Sequence, residues 1–380
     1  MRRADAAVAV SLGLGLLAAR PVFAQGCVAS RMEAPSCSAP RGGNETREYE
    51  TYNLKKGRWQ TSLGYRWFRS HRHFVGSVEQ NAENVANGTA ERDRSATEVI
   101  NHVHIPTIGA SYGVTDQLSV SADLPYFTAL RRSPWSGSRP TYTTQASGVS
   151  DMFVMSRYWV GSPAKSGAQN LSLGLGVKLP TGNDRVEDNF LVRMSPVTGQ
   201  GIYDRRPVDN SIQPGDGGYG IIAELQAFKG LGRVTAFASG NYMMTPQEQN
   251  DFLRDPSNLN PDPSSAYYSI ADQYAARVGL VTSVKHLGFS LAGRMEGVPS
   301  SDLVGGDMGR RRPGYSIAIE PGLSYQWKGT QMSLSVPYLL RRVRTQNISD
   351  KIASAESGHK EIGDAAFADF VVIVGFTHRF

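Results

Sequence analysis

The sequence predicts an all-β chain: a single antiparallel transmembrane β-barrel of about 12 strands, with short periplasmic turns and long extracellular loops. Three observations predict it. Apolar residues recur at every second position through most of the chain beyond residue 57. The connections between these stretches alternate between tight and long. The chain ends on an aromatic residue, Phe380, at the apolar parity of its last alternating stretch.

The N-terminus comes first in order. Arg2 and Arg3 precede the apolar run AVAVSLGLGLLAA, and Val22-Phe23-Ala24 places small residues where a signal peptidase cuts, so residues 1–24 are expected to be a removable export signal. A lipidated Cys27 would need a large aliphatic residue three positions earlier, and Ala24 stands there. Residues 25–56 are expected to form a weakly ordered periplasmic segment, and residues 57–380 the barrel. The chain's two cysteines, Cys27 and Cys37, lie together in that segment, and a local disulfide suits an exported protein.

Composition sets further bounds. Mean hydropathy is −0.33, a value that fits a barrel whose strands average apolar and polar faces as well as it fits a soluble protein. No stretch after residue 24 approaches the roughly 18 apolar residues of a membrane helix. The net charge is +6; Arg2, Arg3 and Arg20 against Asp5 account for two of these, leaving +4 after the signal. No basic run is interleaved with aromatics, so nucleic acid is not an expected partner.

The strands follow. Trp59, Thr61, Leu63, Tyr65 and Trp67 share one face, with Gln60, Ser62, Gly64 and Arg66 on the other. Leu118, Val120, Ala122, Leu124 and Tyr126 repeat the pattern, as do Tyr274, Ala276, Val278 and Leu280, and then Met332, Leu334, Val336 and Tyr338. Such segments run over 57–73, 98–112, 117–130, 149–161, 169–180, 217–229, 233–245, 271–286, 287–298, 314–328, 330–343 and 366–380. Pro125, Pro180, Pro246, Pro299 and Pro337 sit near the outer ends of rising strands, where a missing ladder donor marks a bulge or a strand end. The stretch LSLGLGVKLPTGN (171–183) could be mistaken for a phosphate-cradling loop. No amphipathic helix follows it to present amides to a phosphate, so it reads as a strand.

Several of these stretches, YGVTDQLSVSADLPYF (112–127), SGVSDMFVMSRYWV (147–160), LGLGVKLPTGN (173–183) and QPGDGGYGI (213–221), together resemble one family: the outer-membrane transporters associated with the meta-pathway of phenol degradation. The resemblance implies a channel for passive uptake of small hydrophobic or aromatic solutes, in the outer membrane of a Gram-negative bacterium. Its expected surroundings are outer-membrane lipids and lipopolysaccharide. The C-terminal strand ending at Phe380 resembles the signal read by barrel-insertion machinery, with His378 a departure from the usual apolar residue there.

By parity, Arg66, Asp123, Arg157, Lys178, Glu224, Arg277, Arg294, Glu296, Glu320 and Arg379 face inward as pore-lining candidates, beside Phe153, Trp159, Phe228 and Phe237. Mixed charges at close quarters can orient a solute, or they can pair into a plug that fills a structural or assembly barrel without transport. His71, His73, His102 and His104 meet near one hairpin, which suits either a metal or solvated strand ends. No cysteine or arranged carboxylate accompanies them, so neither a metal nor a cofactor is expected. An outer-membrane hydrolase would need a nucleophile and base at the rim. Ser70 beside His71, or Asp93 near His102, lacks a third supporting residue, and the expectation is that the protein is not an enzyme.

Overall fold

The computed structural model describes residues 53–89, 99–134, 141–162, 169–256 and 258–380. The export signal, Cys27 and Cys37 lie outside them. The chain forms a closed 12-strand antiparallel barrel. In chain order the strands are β1 (Trp59–Val75), β2 (Ile100–Gly113), β3 (Leu118–Pro134) and β4, in two pieces (Thr141–Val149 and Met152–Trp159). Then come β5 (Gln169–Leu179), β6 (Gly220–Leu231), β7 (Val234–Met244), β8 (Gln273–Val284) and β9 (Leu287–Val298). The last are β10 (Gly314–Trp327), β11, again in two pieces (Thr330–Ser335 and Tyr338–Arg344), and β12 (Ala365–Arg379). Each pairs with its sequence neighbours, and β12 pairs with β1 from Gln60↔Arg379 to Phe74↔Ala365, which closes the ring.

Alternation settles the two faces. Along β6, Ile222, Glu224, Gln226 and Phe228 are buried while Ile221 and Leu225 are exposed. Leu175 and Val278 are 62% and 64% exposed, as an apolar residue on a soluble protein's sheet would not be, and they belong to a continuous outer band with Leu63, Ile108 and Leu291. Such a band needs a bilayer. Aromatics rim it at both ends. Trp59 packs on Tyr112 at 4.8 Å near the short turns, with Tyr325 and Trp327 in the same belt; Trp67 meets Phe370 at 5.8 Å toward the long loops.

The prolines mark interruptions of the wall. The partner of β3 changes from the second piece of β4 (Asp123↔Phe153) to the first (Tyr126↔Val149) at Pro125, whose carbonyl accepts from Ser150 N at 2.9 Å. Pro337 separates the two pieces of β11, and its carbonyl accepts from Val371 N. Pro180, Pro246 and Pro299 follow the ends of β5, β7 and β9. Sequence alternation begins the fourth strand at 149, whereas the wall continues up to Thr141.

The long loops carry structure of their own. The β5–β6 connection contains a hairpin, Glu187–Met194 with Gly201–Pro207, and then turns back into the barrel. The β11–β12 connection holds a helix, Ile348–Ser357, started by a capping box between Asn347 and Asp350. Asn347 also donates through Nδ2 to the Arg311 carbonyl at 2.8 Å, tying the helix to the β9–β10 loop.

Substituting Arg for Leu175 or Val278 should destabilise the barrel by about 2–4 kcal/mol, as for a cation at the bilayer midplane. Ser333→Arg, which points into an internal cavity, should cost clearly less. The checks are the denaturant midpoints of refolding into lipid, and equal losses at both kinds of position would contradict the assignment of faces.

Candidate functional site in the lumen

The lower half of the barrel encloses a cavity of about 440 Å³. It reaches the periplasmic end, where Asn53 and Leu54 form part of its wall. Its sides carry serines from the inward parity, including Ser62, Ser119, Ser290 and Ser333. Phe153 stands nearer mid-barrel, while Trp159, Phe228 and Phe237 lie close to the short turns, with Trp159 and Phe228 edge to face at 5.8 Å. Asp123, Arg157, Glu224, Arg277, Arg294, Glu320 and Arg379 share this cavity wall.

Pairing organises the charges. Arg157 Nε and Nη2 donate to Glu224 at 2.5 and 3.2 Å. Arg277 donates to Glu320 at 2.7 and 3.1 Å, and its guanidinium also lies 5.5 Å from the Phe237 ring centroid. Glu320 accepts from Arg294 as well, at 3.3 Å; Arg294 donates to Glu296 at 2.9 Å, and Arg66 reaches Glu296 at 3.0 Å. The chain Arg66–Glu296–Arg294–Glu320–Arg277 therefore alternates in sign. Its first link spans the interior, since β10, β11 and β12 lie between β1 and β9 in the wall. Arg66 is 2% exposed and is not part of the cavity wall.

Lys178 also faces inward but belongs to a different arrangement. Its ammonium pairs with Asp216 and lies 3.8 Å from Asp151, all beneath the extracellular loops. Around it Thr181 Oγ1 donates to the Ser150 carbonyl, Ser150 Oγ to the Pro214 carbonyl, and Gly182 N to Asp151. Gly182 and Gly215 touch backbone to backbone: a Cβ on Gly215 would stand 2.4 Å from the Gly182 carbonyl oxygen. The motifs SGVSD, KLPTGN and QPGDGG, separate in sequence, thus converge in one knot.

That knot fixes a plug. Just before it, residues 207–213 enter the upper lumen, where Val208 and Ile212 are fully buried against Phe68, Val103, Ile105 and Phe127. Burying each such side chain contributes about 1.5–3 kcal/mol. Between them Asp209 meets Arg312 at 2.7 Å on both oxygens, with Arg131 at 3.6 Å. Burial alone would raise the carboxyl, but Arg131 and Arg312 hold Asp209 well below the usual carboxylate range. Its stabilising charge is present above about pH 4 and is lost only as pH falls below that. The small pocket beside the plug, lined by Asn210, Gln213 and Tyr268, measures about 40 Å³.

Sequence parity does not reveal this plug. The available signal is that Phe68, Val103, Ile105 and Phe127 are apolar on the inward face, and that Val208 and Ile212 stand in a polar loop. The histidines disperse. His73 binds Asp364 at 2.8 Å, His104 binds Tyr65 Oη at 2.7 Å, and His71 lies 3.5 Å from Asp369. Among the described residues no group of three or more metal-ligating side chains converges. Ser70 Oγ accepts from Asn101 Nδ2 at 3.0 Å.

An outer-membrane channel from Pseudomonas putida F1 shares the fold, with a TM-score of 0.54 at 12% identity over 89% of this chain and 100% of that one. A FadL homologue of Pseudomonas aeruginosa aligns over 94% and 99% with a TM-score of 0.43 and 9% identity. The translocator domain of the Neisseria meningitidis autotransporter NalP aligns over 86% and 90%, with 0.42 and 12%. These last two lie too far off to bear on this chain. No protein-family model and no curated protein sequence matches it. The fold is that of an outer-membrane β-barrel.

Glu320→Gln should take from Arg277 its paired carboxylate and from Arg294 one of its two, and lower stability by about 3 kcal/mol, because a buried charge left without its partner is costly. The boiled-versus-unboiled gel shift, followed against temperature, reads it. Replacing Arg277 and Glu320 together by Met should recover much of the loss.

Proposed function

We propose that the protein is an outer-membrane channel of a Gram-negative bacterium that admits small, hydrophobic or aromatic solutes, and that its resting form is closed by the 207–213 plug. The observation that carries this reading is the cavity of about 440 Å³, whose wall combines Phe153, Trp159, Phe228 and Phe237 with paired charges. An aromatic solute fits rings of this kind, and the paired charges present little net field to repel it. The finer assignment, to the transporters associated with the meta-pathway of phenol degradation, rests on the motifs that converge in the Lys178 knot. In this reading the protein is not an enzyme. It sits among lipopolysaccharide and other outer-membrane lipids, having been inserted through the strand that ends at Phe380.

A second reading has its own support. Complete pairing of the Arg66–Glu296–Arg294–Glu320–Arg277 chain and the filled upper lumen also suit a structural barrel that conducts nothing.

Uptake of labelled toluene by intact cells, whose lipopolysaccharide leaflet slows such solutes, separates the two. Cells making the protein should take it up faster than cells without it. Val208→Asp combined with Ile212→Ser should loosen the plug and raise both uptake and single-channel conductance. If neither the parent nor the loosened variant passes solute or ions, the barrel is structural.

A further inference from the structure

The lipid-facing surface of the barrel is not uniform around its circumference. Strands β5 to β9 are 11 or 12 residues long, and the outward positions of their outer halves carry no charged side chain. β1 and β3 are each 17 residues long, and β1 continues past the outer aromatic belt at Trp67 to Val75. A strand crosses the hydrocarbon in about 9–11 residues, so the additional length stands at headgroup height and above. Among the described strand residues, the outward-facing arginines of the outer half stand on this side of the barrel: Arg69 on β1, Arg132 on β3 and Arg341 on β11.

Register gives the arrangement. Phe68 and Ser70 are buried toward the lumen, as are Asn101 and Val103, so Arg69 and His102 point outward as a cross-strand pair. One pair below, Trp67 stands opposite His104, whose Nδ1 bonds Tyr65 Oη at 2.7 Å. On the other side of His102 lies Leu130, 46% exposed, and Arg132 is the next outward residue above it. The Arg69 charge and the imidazoles of His71 and His104 all act on His102. Tryptophan marks the boundary between hydrocarbon and headgroups, and this row begins one residue pair beyond it.

The row lacks anionic partners. Among the described residues Arg69 and His102 have no hydrogen bond or ion pair, and Arg132 gives only its Nε, to Thr141 Oγ1 at 3.2 Å. The carboxylates at the rim serve other arginines. Asp369 accepts from Arg72 at 2.9 Å and from Arg342 at 3.3 Å, with His71 at 3.5 Å, and Glu79 accepts from Arg72 at 2.6 Å. An arginine facing hydrocarbon is costly, whereas one at headgroup height can meet a lipid phosphate.

We propose that Arg69, Arg132 and His102 form a binding site for a phosphate of the outer-leaflet glycolipid, the diphosphorylated lipid A portion of lipopolysaccharide. The acyl chains lie on the apolar band below, which includes Ile108. A guanidinium gives a phosphate two parallel charge-assisted bonds, and the imidazole adds a donor. A phosphate free in solution fits less well, because the described extracellular loops above carry more carboxylates than cations and repel it. A lipid phosphate already lies at this height. The site rests on the outer-membrane part of the proposed function and is independent of whether the lumen conducts.

The experiment titrates the purified full chain in detergent, at low ionic strength with a chelator present. The three probes are diphosphoryl lipid A, the same lipid A after removal of both phosphates, and phosphatidylglycerol. Native mass spectrometry counts bound lipid, and the temperature at which the unboiled gel band is lost reads stabilisation. Diphosphoryl lipid A should bind and raise that temperature, and the effect should fade as salt is added. Arg69→Gln with Arg132→Gln should weaken binding about tenfold or more. Arg233→Gln, on the exposed β6–β7 turn at the periplasmic end, should leave it unchanged. Equal binding of the dephosphorylated lipid would overturn the phosphate contact, and equal binding of phosphatidylglycerol would overturn the assignment to the glycolipid. Both comparisons use the parent chain, so neither depends on a variant folding. Fractionation of the native chain tests location on its own: a chain found in the outer membrane that binds all three lipids alike sinks the site and spares the location, and a soluble native chain sinks both.

Discussion

Everything in this molecule depends on the pairing of its first strand with its last. In a bilayer no water is at hand to satisfy a backbone amide, so a sheet can stand there only if it has no edge. The register from Gln60↔Arg379 to Phe74↔Ala365 removes that edge. It also sets the circumference, and the circumference determines which inward side chains can meet. Arg66 and Glu296 are far apart along the wall, yet the closed ring brings them within 3.0 Å across it.

The interior then answers to two different demands. In the lower half, where water enters the cavity, polar and charged residues can stay solvated or pair with one another. In the upper half the lumen is largely filled, because Phe68, Val103, Ile105 and Phe127 face a loop instead of open space. Charges there need partners at close range, as Asp209 finds in Arg312 and Arg131.

Much of the wall was legible in the sequence. Leu171, Leu173, Leu175 and Val177 show period two because lipid and lumen are such different surroundings, and the parity of Arg157, Glu224, Arg277 and Glu320 follows from the same contrast. The upper piece of β4 was not legible. Above the bilayer its outward Thr141, Thr143 and Gln145 meet water, so the pattern that marks a membrane strand vanishes. Parity made Lys178 and Arg66 pore-lining candidates, but parity gives only a direction, and both side chains end on partners away from the cavity wall. That depends on which loops fold back and on how the ring closes, and neither is encoded locally. The plug was hidden for the same reason: two apolar residues in a polar loop carry no period.

The contact between Gly182 and Gly215 has a further consequence. Because the two ends of the intervening segment meet at one point, the residues between them form a loop whose span across the wall is fixed whatever its contour length. Closing such a ring costs little more entropy when it lengthens. The hairpin and plug can therefore be exchanged or resized as a cassette while the barrel beneath keeps its register. Related chains could diverge in what their mouths admit long before their walls change.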